Sequence, residues 1–317
     1  MNVTSPEVSL ESPECVSTLV ASPDASSVDF SAMSQERLIA LQWEHERAFA
    51  REILAAPKGS PARAEATRRA YETVPRIFAA ARRLSAPGPS MGYHPRQGRL
   101  VVERLARHRR LGHPARLFEI GYGNGSLLKH AAEAGFTVAG IEVSLALCEQ
   151  ARRSVGMPHA ASLYRGDFLR DTLPIAGVLF AVVYWNDVFE HIPPDEILDY
   201  LRRVHQMLAP GGELITVTPN WHIRPSDVTV AILGPRSEPA GLHFKEYTLG
   251  EVTALLREAG FRRVIAPLAV TRKRFWVCGS GLAGLKRWAE PALEWLPYGL
   301  TRLLCRGLGL STTIAVK

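Results

Sequence analysis

An α/β fold, in which helices cover both faces of a doubly wound parallel sheet, is predicted by three features of the 317-residue sequence. Short apolar runs bounded by turn residues are typical of buried parallel strands. Between these runs lie longer segments whose apolar residues recur at helical spacing. A glycine-rich turn joins the first predicted strand directly to a helix, an arrangement typical of nucleotide-binding sheets. No internal repeat is evident, so one large domain is expected.

The chain before this domain is predicted to be a tail followed by a helical cap. Residues 1–34 are rich in Ser, Pro, Val and Glu and lack the basic and apolar regions of a secretory signal, so we expect a disordered tail. Residues 35–99 carry apolar side chains at helical spacing, and Ser60 followed by Pro61 is typical of a helix start. The predicted cap is therefore a set of helices.

The turn after the first strand predicts a nucleotide-type ligand. The strand, at about residues 116–120, runs into Gly121, and Gly123 and Gly125 follow before a helix begins at Ser126. Glycines lack Cβ, so backbone amide groups can approach a ligand closely. The pattern Gly-x-Gly-x-Gly differs from the dinucleotide fingerprint Gly-x-Gly-x-x-Gly, in which the third glycine comes one residue later. The spacing therefore argues against NAD.

Two acidic residues indicate what the ligand carries. Glu119 lies two residues before the first glycine, where a carboxylate would repel a pyrophosphate but would accept hydrogen bonds from an ammonium group. Glu142 ends the next predicted strand, at a position where an acidic side chain binds both hydroxyl groups of a ribose in a doubly wound sheet. The implied ligand contains an amino acid and a ribose.

These acidic residues and glycines together resemble the first two motifs of the class I S-adenosylmethionine (SAM)-dependent methyltransferases. The resemblance implies a Rossmann-like sheet of seven strands, with the seventh strand antiparallel, and SAM as cofactor. It also implies that the helical cap covers the cofactor, so that Tyr93, His94 and Arg96 are candidates to contact its methionine end, although a simple polar turn is an equal alternative. The cofactor contacts that it implies near the glycine turn are Glu119, Gly121, Tyr122, Gly123, Gly125, Glu142 and Val143.

Two later segments extend the resemblance. Gly166-Asp167-Phe168 is similar to a third motif, in which the acidic residue bonds the adenine amino group and the next residue lies against the ring, although a Gly-Asp pair is also an ordinary turn. The segment from Asn186 to Pro193 closely resembles the one after strand four in small-molecule methyltransferases that include quinone-biosynthesis enzymes. Asp167, Phe168 and Asn186 are therefore further implied cofactor contacts.

The remaining segments complete the predicted domain. A proline-containing loop at 222–241 is expected to be a lid over the acceptor site, because long loops in compact domains usually have such roles. Strand six is predicted at about 263–270, and strand seven at 311–317, antiparallel beside it. Between them, residues 274–309 are predicted to form an amphipathic helical insertion. The methyltransferase domain is expected to span 100–317.

Composition and charge limit the classes of partner. The four cysteines are scattered and no histidines cluster, so neither a disulfide framework nor a metal site is predicted, and a reducing, cytoplasmic location is expected. The net charge is +7, but the sequence contains no ribonucleoprotein motif or zinc finger, so nucleic acid is not the expected partner. No apolar run reaches about 18 residues, so no transmembrane helix is predicted. Peripheral membrane contact through the basic segment 274–309 stays open, as does the oligomeric state.

The catalytic candidates are histidines. Methyl transfer from a sulfonium depends largely on positioning, so a base is needed only when the acceptor must lose a proton. His191 and His243 are candidates for that base because an unperturbed histidine titrates near neutral pH, and Asp187 is a supporting polar group. A structural role for His191, as a helix cap or a backbone partner, stays an alternative.

The acceptor is expected to be a small molecule. Methyltransferases that act on the exocyclic amines of bases usually carry Asn/Asp-Pro-Pro-aromatic after strand four, where this chain has Asn186-Asp187-Val188-Phe189. An oxygen or carbon nucleophile on a phenol, quinone, natural product or sugar is therefore favoured over nitrogen. An RNA-directed methyltransferase and a non-catalytic scaffold with the same fold are the alternatives.

Overall fold

The computed structural model describes residue 30 and residues 33–83 and 93–317. The tail predicted at 1–34 lies almost wholly outside these residues, as does most of the loop that precedes Tyr93. In the described part, no helix is long and apolar enough to cross a membrane.

The helices and strands alternate along the chain as expected for an α/β fold. The helices are α1 Gln35–Ala55, α2 Pro61–Arg83, α3 Pro95–Arg110, α4 Ser126–Glu133, α5 Leu145–Val155, α6 Ile197–Met207, α7 Thr229–Leu233, α8 Leu249–Glu258, α9 Ser280–Ala289 and α10 Tyr298–Leu308. The strands are β1 Arg116–Ile120, β2 Thr137–Glu142, β3 Leu163–Arg165, β4 Phe180–Asn186, β5 Leu208–Val217, β6 Arg263–Ile265, β7 Leu268–Thr271, β8 Arg274–Trp276 and β9 Thr312–Val316.

The central sheet has seven strands in the order β3-β2-β1-β4-β5-β9-β6. All pairs are parallel except those that β9 makes with β5 and β6. The fold class predicted from the sequence, including the antiparallel last strand, is therefore confirmed. The carboxyl ends of β1, β2 and β4 lie side by side, which is where ligands collect in such sheets.

Two hydrophobic cores lie on opposite faces of this sheet. Phe118 and Trp185 belong to one core, and their neighbours Leu117 and Tyr184 belong to the other. Successive side chains of a strand point to opposite faces, so strands buried on both sides read as continuous apolar runs. Helix α3 packs on the sheet through Leu100, Val101 and Leu105, which belong to the second core.

Helices α1 and α2 form an antiparallel pair outside the sheet. Ile53, near the end of α1, packs against Ala66 and Ala70, near the start of α2. At the other end of the pair, Leu38 packs against Ile77. These two helices form the cap.

An ion pair joins the cap to the rest of the domain. The buried Arg63 of α2 donates to both carboxylate oxygens of Asp195, at 2.8 and 2.9 Å. Its Nη1 also lies 3.3 Å from Glu196. The cap is therefore anchored at the segment between β4 and α6.

The structure corrects the end of the predicted sixth strand. In the central sheet that strand ends at Ile265, and β7 instead pairs with β8 in a separate antiparallel hairpin. Pro267 interrupts the strand because proline has no N–H to donate to a neighbouring strand. The ammonium group of Lys286 donates hydrogen bonds to the carbonyl oxygens of Ala266 and Pro267, so these oxygens do not pair with a strand either. The segment 274–309 accordingly begins with a strand, and its helices start only at Ser280.

Candidate cofactor and acceptor site

The glycine turn lies at the carboxyl end of β1, and its backbone requires glycine. Gly121 has a φ of 67°, and a Cβ there would lie 2.6 Å from Cγ2 of Val188. Gly125 has a φ of 75°, and a Cβ there would lie 2.9 Å from that of Ala151. Side chains other than hydrogen are therefore excluded by both conformation and contact. The Val188 contact also places the loop after β4 directly beside the turn.

Glu142 holds this turn in shape from the end of β2. Its Oε2 accepts a hydrogen bond from the Gly123 amide at 2.9 Å, and its Oε1 accepts one from the Ser144 amide at 3.0 Å. Burial raises the pKa of the carboxyl group, and these backbone hydrogen bonds oppose the rise. A carboxylate oxygen has two lone pairs, so Glu142 retains acceptor capacity for ribose hydroxyl groups.

Glu119 is a buried carboxyl group whose Oε2 has no hydrogen-bond partner among the described residues. Its pKa lies well above the ordinary value because of burial and the nearby charge of Glu142. An unpaired buried carboxyl oxygen is costly, and a cationic ligand group would satisfy it. The ammonium group of SAM fits this requirement, so the acidic and glycine residues present suit the cofactor.

Two predicted cofactor contacts have side chains that lie in the core. The Tyr122 ring is buried, and its hydroxyl donates to the Tyr164 carbonyl oxygen at 2.9 Å. The Phe168 ring is buried between the rings of Phe118 and Tyr200. The backbone of either residue remains for a cofactor contact, and for Phe168 this leaves the amide, rather than the ring, to lie against adenine. Both contacts stay predictions.

The other predicted contacts lie at the carboxyl edge of the sheet. Asp167 forms an ion pair with Arg170, with Nη1 and Oδ2 2.6 Å apart, so an adenine contact would have to share this carboxylate. Val143 is half-buried directly after Glu142. Asn186, half-buried at the end of β4, donates to the Asp187 carboxylate at 2.7 Å. Their roles toward the cofactor stay predictions.

Three side chains beyond Asp187 form a cluster on the acceptor side. Glu190, His191 and His243 each offer one donor atom, and these atoms lie within 4.8 Å of one another. The two imidazole rings meet almost perpendicularly, with centroids 4.6 Å apart. Both predicted catalytic histidines are thus brought together, although they lie on segments far apart in the chain. Asp187, exposed and with a φ of 53°, lies three residues before Glu190.

Hydrogen bonds set which nitrogen of each ring is free. His191 Nδ1 lies 3.0 Å from the Leu242 carbonyl oxygen, so it must donate to that oxygen. His243 Nδ1 lies 2.9 Å from Oε1 of the fully buried Glu246, to which it donates likewise. In both histidines, Nε2 is therefore the nitrogen left for a ligand or a proton.

The cluster separates the pKa values of its members. Burial, together with the charge of His243, lowers the pKa of His191 to about 3. Burial also acts to lower the pKa of His243, but the hydrogen bond to Glu246 and the charge of Glu190 outweigh it and raise the pKa to about 9. Burial and the charge of Asp187 raise the pKa of Glu190 to about 8. At neutral pH, His191 is therefore neutral and His243 cationic.

Glu190 is the most unusual member of the cluster. It is fully buried, its Oε2 accepts from the Thr218 hydroxyl at 2.9 Å, and its Oε1 has no partner among the described residues. One carboxylate oxygen and two imidazole nitrogens form a common ligand set for a divalent transition metal, and these three side chains could hold one. The prediction of no metal ligands was made from spacing along the chain, and it stays a prediction.

The cap and the returning lid complete this site. The Tyr71 ring of α2 contacts His191 edge-on, with centroids 5.9 Å apart. Glu46 of α1 accepts a hydrogen bond from the Leu242 amide at 3.2 Å, and the carbonyl of the same Leu242 orients His191. Helix α1 thus positions a candidate catalytic histidine through Leu242, which directly follows the lid segment 222–241.

The three residues named from the sequence as candidate contacts to the methionine end lie at the start of α3 or just before it. Tyr93 packs against His130 of α4, and the His94 side chain caps α3 by accepting from the Arg96 amide. The Arg96 guanidinium stacks over Phe275 of β8, 4.5 Å from the ring centre. These contacts place Tyr93 against α4 and Arg96 against the β7–β8 hairpin. The expectation that the three residues contact the methionine end of the cofactor stays a prediction.

Sequence reasoning missed four residues of the acceptor site: Glu190, Glu246, Glu46 and Tyr71. Glu190 directly precedes His191, and Glu246 follows His243 by three residues, so in each pair the sequence shows an acidic residue close to a candidate histidine. Glu46 and Tyr71 carry no sequence signal, because their positions depend on how the cap docks.

The sheet order, the glycine turn and the acidic residues at the ends of β1 and β2 define the class I SAM-dependent methyltransferases. A family model described as a methyltransferase domain matches residues 93–265, which is more than half of the chain. The chain therefore belongs to this family, the class I SAM-dependent methyltransferases.

Two relatives with assigned roles are ubiquinone biosynthesis O-methyltransferases. The one from Ruegeria pomeroyi is 35% identical over 155 residues, covering 47% of this chain and 60% of the relative. The one from Brucella anthropi is 30% identical over 162 residues, covering 49% of this chain and 63% of the relative. The chain thus matches less than two thirds of the length of either relative.

Among solved structures, similarity extends to SAM-bound CalS10, an amino pentose methyltransferase from Micromonospora echinaspora. It is 26% identical, with a TM-score of 0.34, covering 44% of this chain and 54% of that one. The CcbJ methyltransferase from Streptomyces caelestis is 18% identical, with a TM-score of 0.46, covering 73% of this chain and 98% of that one.

Proposed function

We propose that the protein transfers the methyl group of SAM to a hydroxyl oxygen of a small molecule, with phenols and quinols as the acceptor class. The observation that carries this proposal is the buried cluster of Glu190, His191 and His243 beside the end of β4, which is suited to removing a proton. The names of the relatives from Ruegeria and Brucella, both O-methyltransferases, support it.

The bound cofactor supplies an electrophilic methyl group. In the proposed reaction, the carbon–sulfur bond breaks with its electron pair returning to sulfur, a carbon–oxygen bond forms, and the hydroxyl proton leaves. Glu119 binds the ammonium group and Glu142 the ribose hydroxyl groups, so both carboxylates orient the methyl group toward the acceptor side. Such positioning supplies much of the rate of an in-line displacement.

His191 is the proposed proton acceptor. It is the half-buried member of the cluster, whereas Glu190 and His243 lie behind it in the interior. Its Nδ1–H is held by the Leu242 carbonyl oxygen. Burial and the charge of His243 lower its pKa to about 3, so Nε2 carries no proton at neutral pH. Glu190, whose pKa is raised to about 8, is largely protonated at neutral pH, so the proton that His191 takes up is released to solvent.

The charge of His243 favours an oxygen acceptor. A cationic imidazole stabilises the negative charge that develops on a phenol oxygen as it loses its proton. An amine acceptor becomes positively charged when it attacks the methyl group, and the same cation would repel it. The cluster therefore supports oxygen over nitrogen among the acceptors that the sequence left open.

The test is a methyl-transfer assay with radiolabelled SAM and a panel of catechols and hydroquinones, each paired with an analogue whose hydroxyl groups are already methylated. His191→Asn should lower kcat by about 10²- to 10⁴-fold, as for loss of a general base, and leave SAM affinity unchanged. The exposed His113 provides the matched control, His113→Asn, which should behave as wild type. Full activity of His191→Asn, or methylation of amines in preference to phenols, would exclude the proposal.

A further inference from the structure

Large apolar side chains are exposed in the C-terminal segment, between residues 268 and 308. Trp288 and Trp295 are 81% and 89% exposed, which is far more than large aromatic residues show when they pack on their own domain. We define the C-terminal apolar surface by the exposed side chains of Trp276, Leu285, Trp288, Trp295, Leu300 and Leu303.

The exposed residues of α9 and α10 lie on faces turned away from the domain. Ala283 of α9 and Cys305 of α10 are buried in one shared hydrophobic cluster, together with Leu293 between them. Leu285 and Trp288 lie on α9 away from Ala283, and Leu300 and Leu303 lie on α10 away from Cys305. Both helices pack inward on the same cluster, which leaves their outer apolar faces exposed.

The charge of this segment is strongly positive at its outer side. Its two acidic residues are already paired: Glu290 is buried and accepts from Asn220 at 2.7 Å, and the half-buried Glu294 pairs with Arg224 at 2.8 Å. Glu103 of α3 lies 3.6 Å from Arg274, and no acidic side chain of the segment offsets the other outer basic residues. The exposed or half-buried basic side chains between residues 268 and 308 are Arg272, Lys273, Arg274, Arg287, Arg302 and Arg306.

We propose that the C-terminal apolar surface binds the surface of an anionic lipid bilayer. Tryptophan side chains prefer the boundary between headgroups and acyl chains, and flanking lysine and arginine side chains are attracted to anionic headgroups. A second copy of the chain fits less well, since a two-fold interface would place the same positive charges opposite one another. The helices are too short and too polar to span a bilayer, so the contact is interfacial.

The surface is directly connected to the lid. Glu294 accepts hydrogen bonds from both His222 and Arg224, and the Tyr298 hydroxyl donates to the Ile223 carbonyl oxygen at 3.1 Å. A bilayer bound to α9 and α10 would therefore lie beside residues 222–224, at the start of the lid. Binding itself does not depend on the proposed acceptor, so the two proposals can fail separately.

The experiment is flotation of the full chain with vesicles of phosphatidylcholine alone and of phosphatidylcholine with phosphatidylglycerol. We expect binding to the anionic vesicles only, weakened as salt is raised. The double variants Trp288→Ser/Trp295→Ser and Arg302→Gln/Arg306→Gln should each reduce the bound fraction on the order of tenfold.

Two exposed residues outside the surface provide matched controls. Met157→Ser and Arg153→Gln should bind vesicles as wild type, and thermal unfolding should show that every variant is folded. The proposal is overturned if wild type does not float with anionic vesicles, or if the tryptophan variant floats equally well. It is also overturned if light scattering shows a dimer that the tryptophan substitutions convert to monomer while vesicle binding persists.

Discussion

Replacing Glu142 by alanine tests whether this carboxylate binds the ribose of SAM. The side chain already accepts two backbone hydrogen bonds, from Gly123 at 2.9 Å and from Ser144 at 3.0 Å. Two added bonds from ribose hydroxyl groups, at about 1.5 kcal/mol or more each for a charged acceptor, would contribute about 3 kcal/mol. Since about 1.4 kcal/mol is a tenfold change, the Kd for SAM should rise by about 10²-fold or more.

The assay is calorimetric titration with S-adenosylhomocysteine and with its 2′-deoxy analogue. Wild type should bind the deoxy analogue more weakly, whereas Glu142→Ala should bind the two ligands equally, because the partner of the 2′-hydroxyl is gone. This comparison separates ribose binding from the loss of the two backbone hydrogen bonds, which weakens both ligands alike. The exposed Glu149 of α5 gives the control Glu149→Ala, which should match wild type.

Either of two results would refute the prediction that Glu142 binds the ribose hydroxyl groups. In the first, the folded variant Glu142→Ala binds S-adenosylhomocysteine within about threefold of wild type, well below the roughly hundredfold loss expected from two charged hydrogen bonds. Alternatively, the variant and wild type could discriminate equally against the deoxy analogue. In that case Glu142 would serve only to hold the glycine turn.

Three further predictions follow from buried groups. Arg104→Leu should lower the free energy of unfolding by about 3 kcal/mol, because it leaves the Glu213 carboxylate buried without its main partner. In wild type, this ion pair lowers the pKa of Glu213 to about 2. Denaturation curves should therefore show its contribution to stability complete above pH 4.5 and lost as the pH falls toward 2. Glu246→Gln should lower the pKa of His243 below its value of about 9, which NMR titration measures. In wild type, the raised pKa stabilises the fold below pH 6.5, and this contribution is lost as the pH rises through 9. In the variant, the same contribution should be smaller. Gly121→Ala should abolish SAM binding in calorimetry and lower stability by about 1–3 kcal/mol, since φ is 67° and a Cβ would meet a side chain at 2.6 Å.

Matched substitutions separate these effects from general damage. Arg153→Leu, on an exposed face of α5, and Glu238→Gln, on the exposed lid, should leave stability and the His243 titration unchanged. Gly135→Ala imposes the same kind of strain, at a φ of 77°, but its Cβ would meet no atom within 4 Å. Equal loss of SAM binding in Gly135→Ala and Gly121→Ala would contradict the steric part of the argument.

Local patterns predict most of the fold and place the proposed cofactor residues at one edge of the sheet. The glycines at 121, 123 and 125 lie in one turn, and Glu119 and Glu142 end adjacent parallel strands, so sequence position alone brings them to the same edge of the sheet. The fold class and the antiparallel last strand were predicted correctly for the same reason. The predicted strand six is too long because Pro267 ends the strand pairing inside the apolar run around it.

The acceptor side was decided by tertiary structure. His191 and His243 were chosen as separate candidates, and only folding of the lid onto the sheet places their rings 4.6 Å apart, with Glu190 beside them. Tyr71 and Glu46 reach the site because Arg63 anchors the cap, whereas Tyr93, named from the sequence, lies against α4.

The physical reason lies in the range of the interactions. A glycine turn, a helix cap or an acidic strand end is determined by residues a few positions apart, so its signal is present in the sequence of one segment. A cluster such as Glu190, His191 and His243 depends on contacts between elements distant in the chain, as do its pKa values, which come from burial and neighbouring charges. The sequence by itself determined the cofactor cradle, and the packing of cap and lid determined the chemistry available to the acceptor.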